Sequence, residues 1–136
     1  MRDALPLISR DRRWPLYDRA PIDTWVHGRI ALLGDAAHPM LQYLAQGACQ
    51  ALEDAVTLGK ALGQWSDPAQ AFAAYADRRR ERAALVQTNA RRFGEICHLE
   101  GMGATLRNML LSSRGPEAFD DISWVWTPTP APTRAL

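Results

Sequence analysis

The sequence predicts an α/β fold in which helix dominates, and three observations carry that expectation. A short continuous apolar run, Ile30 to Leu33, ends at Gly34, the pattern of a strand buried on both faces. Two helical periodicities follow it, the second of them long. Turn and cap residues separate these segments in the order strand, loop, helix, long helix.

Residues 1–13 are charged and weakly patterned, and no element is assigned to them. Trp14 to Tyr17 reads as a strand, confined by Pro15 to an edge or a strand start. Ile22 to His27 reads as a connection, and Gly28-Arg29 sets up the strand at Ile30–Leu33. A loop from His38 to Ala45 leads into a helix from Gln46 to Leu62. Ala51, Ala55, Leu58 and Leu62 recur there at spacings of four, three and four, which places them on one face. Gly63 suits the end of that helix.

Asp67-Pro68-Ala69-Gln70 starts the next helix, with Asp67 as cap, Pro68 in the first turn and Gln70 completing a capping box. Its apolar stripe is Phe72, Ala76, Ala83, Val86, Ala90, Phe93 and Cys97, interrupted only by Arg79. Gly101 and Gly103 break the pattern. Thr105 to Ser113 is expected to form a short helix, and Asp120 to Trp126 to pack back as an extended segment. The proline-rich tail, residues 127–136, is expected to be disordered.

The composition narrows the function. The chain has 136 residues, enough for one domain with a modest core. A net charge of +1 gives no reason to expect nucleic acid or an anionic membrane as partner. No apolar run approaches the roughly 20 residues of a membrane-spanning helix, and the N-terminus breaks its apolar stretch too early for a signal peptide. Cys49 and Cys97 both fall in helical patterns, which favours reduced thiols and a cytoplasmic protein.

The chemistry concentrates between Gly28 and Ala55. Here the strand stops at Gly34, presents the carboxylate of Asp35, and runs on to a helix N-terminus at Gln46-Gly47. Such a terminus carries unpaired N–H groups and a positive dipole end, which favour negative charge or electron-rich oxygens. A carboxylate beside it accepts a hydrogen bond from a sugar-like hydroxyl, so together they describe half of a cofactor site.

Gly34-Asp35-Ala36-Ala37-His38-Pro39, with Gln46-Gly47 and Glu53-Asp54 downstream, resembles the second FAD-binding motif of single-component aromatic-ring hydroxylases. Within that family, Leu41 to Ala48 looks most like 3-hydroxybenzoate 6-hydroxylases and their salicylate-type relatives. The resemblance runs from Trp14 to about Trp126. It implies the C-terminal portion of a doubly wound FAD-binding fold over residues 1–126. The family's opening Gly-x-Gly-x-x-Gly fingerprint is not found, since Gly101-Met102-Gly103 follows no strand.

The resemblance implies FAD as cofactor, NADH or NADPH as co-substrate, and O2 with a small phenolic or benzoate-type ring as the other reactants. Oxygen would pass to the ring through a flavin C4a-hydroperoxide. Gly34 and Asp35 would bind the cofactor, Asp35 through a ribityl hydroxyl. Gly47 and Ala48 would present backbone N–H groups to the pyrimidine edge, as an oxyanion hole does. Many relatives have proline at Gln42 and glycine at Ala45. Gln42 would touch a phenolic oxygen or the hydroperoxide, and Ala45 implies that the backbone there avoids positive φ. A homodimer is compatible with the resemblance.

Other residues invite plainer readings. His38 reads as a loop histidine bonded to nearby backbone rather than a catalyst, and the histidine and cysteine spacings offer no zinc site. Cys49 reads as a small packing residue. Glu53 and Asp54 point about 100° apart on a helix, and Asp54 is expected to anchor the helix to neighbouring segments. Arg78-Arg79-Arg80-Glu81-Arg82 reads as a solvated face or an ionic contact with further domains. Two competing functions stand beside the hydroxylase. One is a non-catalytic helical fragment that pairs through its long helix, and the other is an epoxidase or halogenase on the same fold.

Overall fold

The computed structural model describes residue 11 and residues 15–127. Trp14 and the tail beyond Thr127 therefore lie outside the described residues, and Pro15 to Tyr17 form no strand. The first regular element is a small hairpin. Strand β1, Val26–His27, pairs antiparallel with β2, Ile30–Ala31, in the register Val26 opposite Ala31. Gly28 turns the chain at φ +57°, a conformation that only glycine adopts freely. Leu32 N–H donates to Trp25 O at 2.8 Å and extends the pairing by one bond.

Two expectations fail here. Val26 and His27, read as part of a connection, form a strand. The run Ile30–Leu33, read as buried on both faces, leaves Ile30 67% exposed and Leu33 39% exposed. A fully buried strand needs pairing on both edges and layers on both faces. Among the described residues β2 pairs only with β1.

A 3₁₀ turn, Gly34–Ala36, follows the hairpin, and a second, Gln42–Leu44, occupies the expected loop. Helix α1 spans Gly47–Gln64, so it passes through Gly63 and ends at an extended Trp65. Its buried positions are Gln50, Asp54 and Ala61, whereas Ala55 and Leu62 are exposed. The inward face is thus turned about one residue from the apolar stripe, because buried ion pairs rather than aliphatic contacts hold it.

Helix α2 spans Pro68–Cys97. Asp67 caps it by accepting from Ala69 N–H at 3.1 Å, while Gln70 returns no capping bond. Ala76, Arg79, Ala83, Val86 and Ala90 are buried as the stripe predicts. Its two ends are not, with Phe72 half-buried, Phe93 44% exposed and Cys97 exposed. Helix α3, Gly101–Ser112, starts at the glycines expected to break structure. The segment expected to be extended is 3₁₀-helical over Pro116–Val125.

The core is small and rich in alanine. Trp25, Ala37, Ala61, Ala71, Tyr75, Ala76 and Ala83 form it, with Ile22, Val26, Leu32 and Leu58 against its edge. Alanines let α1 and α2 approach closely, so polar side chains on facing positions meet directly. Tyr75 crosses this core to donate its hydroxyl to Leu32 O at 3.1 Å, tying α2 to the end of the hairpin. Burial, together with the negative charge of Asp54, raises the pKa of that phenol.

Ala45 overturns the expectation from its side chain. It takes φ +52°, ψ +31° at the end of the second turn, the left-handed region. The turn geometry requires that conformation, and its N–H closes onto Gln42 O at 2.8 Å. An L-residue there costs about 1 kcal/mol or more, and glycine's unfolded-state entropy cancels about half of any relief. Ala45→Gly is therefore expected to stabilise the chain by about 0.5 kcal/mol, read as a rise in the denaturant midpoint. A lowered midpoint would show that Ala45 carries no strain.

Candidate cofactor site

The site is built where β2 ends. Gly34 takes φ +55° and is buried, and a Cβ there would lie 3.4 Å from Ala51 Cβ of α1. This close approach seats the turn on α1. It leaves the Asp35 side chain exposed, with no hydrogen-bond partner among the described residues. Asp35 is therefore not the turn's own cap.

Asp54 fixes the turn from within. Its Oδ2 accepts Gly34 N–H at 3.0 Å and His38 Nε2 at 2.6 Å, and its Oδ1 accepts Arg79 Nε at 2.7 Å. The expected anchoring role of Asp54 is thus observed. His38 departs from its reading, because it bonds this carboxylate rather than backbone and is 1% exposed. Burial alone would raise the pKa of Asp54. Hydrogen bonds from His38, Arg79 and Gly34 outweigh it, and the carboxyl titrates below its usual 3.8.

Arg79 and Arg82 correct the sequence reading most. The cluster was expected to face solvent or other domains, yet both side chains are buried and bonded within the chain. Arg79 also donates to Glu53 and, through Nη2, to Gln50 O at 3.2 Å and Gln50 Oε1 at 2.7 Å. Arg82 grips Glu53 with a fork, Nε to Oε2 at 2.7 Å and Nη2 to Oε1 at 2.8 Å. It also donates to Trp124 O at 3.0 Å, holding the last 3₁₀ segment in place. Burial would raise the pKa of Glu53, but the two guanidinium groups lower it below 4.5.

A second set of bonds secures the outer side of the turn. Arg19 Nη2 donates to Ala36 O at 2.6 Å and Ala37 O at 2.9 Å. Gln87 Nε2, from α2, donates to Arg19 O at 2.6 Å and Pro39 O at 2.8 Å. Sequence reading missed Arg19, Gln87 and the inward role of Arg79. Only Arg79 left a signal, a charge interrupting an apolar stripe opposite a helix that carries two adjacent acids.

The other sequence-predicted residues sit beside this turn in the chain. Gly47 and Ala48 form the first turn of α1, and Gln46 offers no side-chain cap. The first N–H groups of a helix have no intrahelical partner, and among the described residues no side chain fills that role here. Ala48 is exposed and Gly47 half-buried. Gln42 is exposed in the second 3₁₀ turn, its amide without a partner among the described residues. Next to it, Tyr43 lies on Gly94 of α2 and meets His98 edge-on at 5.5 Å. Cys49, read as a packing residue, is exposed.

An open groove of about 700 Å³ runs between α1 and α2, past Leu52, Val56, Lys60 and Trp126, and none of the predicted site residues lines it. Among the described residues there is no His, Cys, Asp or Glu cluster suited to a metal ion, and no helix is long and apolar enough to cross a membrane.

Known proteins resemble this chain in sequence and in fold. A 3-hydroxybenzoate 6-hydroxylase of Klebsiella oxytoca is 47% identical over 117 residues, covering 85% of this chain and 30% of that protein. The 3-hydroxybenzoate 6-hydroxylase of Polaromonas naphthalenivorans is 44% identical over 127 residues, covering 92% of this chain and 32% of its own. Among solved structures, Klebsiella pneumoniae HpxO complexed with FAD and uric acid superposes with a TM-score of 0.74 at 32% identity, covering 83% of this chain and 30% of that one. A salicylate hydroxylase substrate complex gives 0.63 at 37% identity, covering 83% and 28%. The chain thus spans about a third of the length of the relatives it matches. The model of the FAD binding domain matches residues 3–90, and the chain belongs to that family.

Proposed function

We propose that this chain is the C-terminal part of a flavin-dependent hydroxylase that acts on a phenolic or benzoate-type ring. Residues 1–126 would belong to its FAD-binding domain. The observation that carries this reading is the exposed, unpartnered carboxylate of Asp35, presented by a turn that Asp54 locks against α1. The residues present fit the cofactor. A hydroxyl-rich chain needs an acceptor, which Asp35 offers, and an electron-rich ring edge needs donors, which the uncapped N–H groups of Gly47 and Ala48 offer.

When bound, FAD would supply the oxygen-activating chemistry, with NADH or NADPH as the reductant, and the protein would contribute binding, orientation and electrostatics. Asp35 holds the ribityl chain by accepting its hydroxyl proton in a hydrogen bond. Gly47 and Ala48 N–H groups stabilise negative charge at the pyrimidine edge. The Gln42 amide orients the phenolic oxygen of the substrate. The relatives' names, 3-hydroxybenzoate 6-hydroxylase and salicylate hydroxylase, support a hydroxylated benzoate as the substrate class. The exposed thiols of Cys49 and Cys97 fit a reducing, cytoplasmic setting.

Replacing Asp35 tests the reading. Loss of a hydrogen bond to a charged group corresponds to about 30-fold weaker binding, so Asp35→Ala holoprotein is expected to shed FAD on gel filtration. Wild-type flavin occupancy would remove Asp35 from the site.

A further inference from the structure

Resting on the FAD reading above, we infer that His38 is a positioning residue for Asp35, acting through the carboxylate of Asp54. Two hydrogen bonds bracket Asp35 in the chain. On one side, Gly34 N–H reaches Asp54 Oδ2 at 3.0 Å, and on the other His38 Nε2 reaches the same oxygen at 2.6 Å. A single buried atom from α1 therefore holds Gly34 and His38, on either side of the exposed Asp35. Arg79 fixes the other oxygen of that carboxylate at 2.7 Å, so the acceptor itself cannot swing.

The direction of the His38 bond follows from the chemistry. An ionised carboxylate only accepts, so Nε2 carries the proton. His38 Nδ1 is buried without a partner among the described residues, and the ring stacks at a tilt on Trp25 with centroids 5.3 Å apart. The ring consequently has one polar tether, and that tether is Asp54. That bond closes the turn around Asp35.

The test is a double-mutant cycle on FAD affinity in the holoprotein, read by flavin fluorescence during titration of the apoprotein. Asp35→Ala is expected to raise the FAD Kd about 30-fold and His38→Phe about tenfold. If His38 acts by placing Asp35, the double variant stays near the 30-fold loss of Asp35→Ala alone. Independent roles would multiply to about 300-fold, and that result overturns the inference while leaving the FAD reading intact. An unchanged Kd in Asp35→Ala overturns the FAD reading, and the inference with it. His38→Gln places an amide donor near the Nε2 position and guards against a misfolded His38→Phe. It is expected to keep FAD affinity within about threefold. A folded His38→Gln as weak as His38→Phe would also overturn the inference.

Discussion

Arg79→Met is expected to destabilise the chain by about 3–5 kcal/mol, the cost of removing one partner from a buried ion pair. Arg79 is 3% exposed and Asp54 fully buried, so water cannot replace the lost guanidinium. Four groups lose a donor at once: Asp54 Oδ1, Glu53, and the backbone and side-chain oxygens of Gln50. The damage is electrostatic rather than steric, since methionine fills a similar volume. Combining Arg79→Met with Asp54→Asn is therefore expected to recover part of the loss, because the fully buried carboxylate is no longer charged while Glu53 keeps its fork to Arg82. Chemical denaturation of the three proteins measures both effects, and a single variant as stable as wild type would show the network to be energetically idle.

The same network sets a pH dependence for that difference. Asp54 and Glu53 have folded-state pKa values lowered beneath 3.8 and 4.5, so their stabilisation is complete above those values. It is lost as pH falls through the lowered folded values. The gap between wild type and Arg79→Met should be constant at neutral pH and narrow in more acid solution. A gap that widens on acidification would contradict the assignment.

Gly94→Ala is the second large effect, expected to cost about 3 kcal/mol through overpacking. A Cβ at Gly94 would fall 2.5 Å from Tyr43 Cδ2 and 3.0 Å from Cζ, inside the van der Waals limit for a rigid ring. Gly94 is buried in the last turns of α2, a helix position where glycine is otherwise unfavourable. Its presence there is explained by the ring that lies on it. Gln42 is the chain neighbour of Tyr43, so under the role proposed for Gln42 the variant should affect substrate handling as well as stability. Lower melting temperature together with impaired hydroxylation in the FAD-loaded protein is the expected pair. Tyr43→Ala in the Gly94→Ala background removes the clash and should restore most of the stability lost to it. No recovery would mean that the ring is not the obstacle.

Much of the framework was legible from residues alone, because the relevant signals are local. Asp67-Pro68 marks the start of α2 by the geometry of one cap and one ring. The Gly34-Asp35 step and the Gln46-Gly47 helix start place the candidate site, since glycine permissiveness and unpaired N–H groups belong to the chain itself. The relatives add the family, but the order strand, turn, helix and long helix follows from periodicity and punctuation.

What the tertiary structure alone decided is where charge goes. Apolar spacing pointed α1 inward through Ala51, Ala55, Leu58 and Leu62, and the helix instead buries Gln50, Asp54 and Ala61. Periodicity counts hydrophobic residues and cannot register that Glu53 and Asp54 meet Arg79 and Arg82 some 25 to 29 residues later. Once α1 and α2 pack through alanines, those charges neutralise one another, and polar residues become the inward face. The left-handed Ala45 has the same origin, for the closed turn requires that φ whatever side chain occupies it. Sequence determined the two long helices and the place of Asp35 in the chain. Packing determined the buried network that holds it, because ion pairing between distant segments exists only after they have come together.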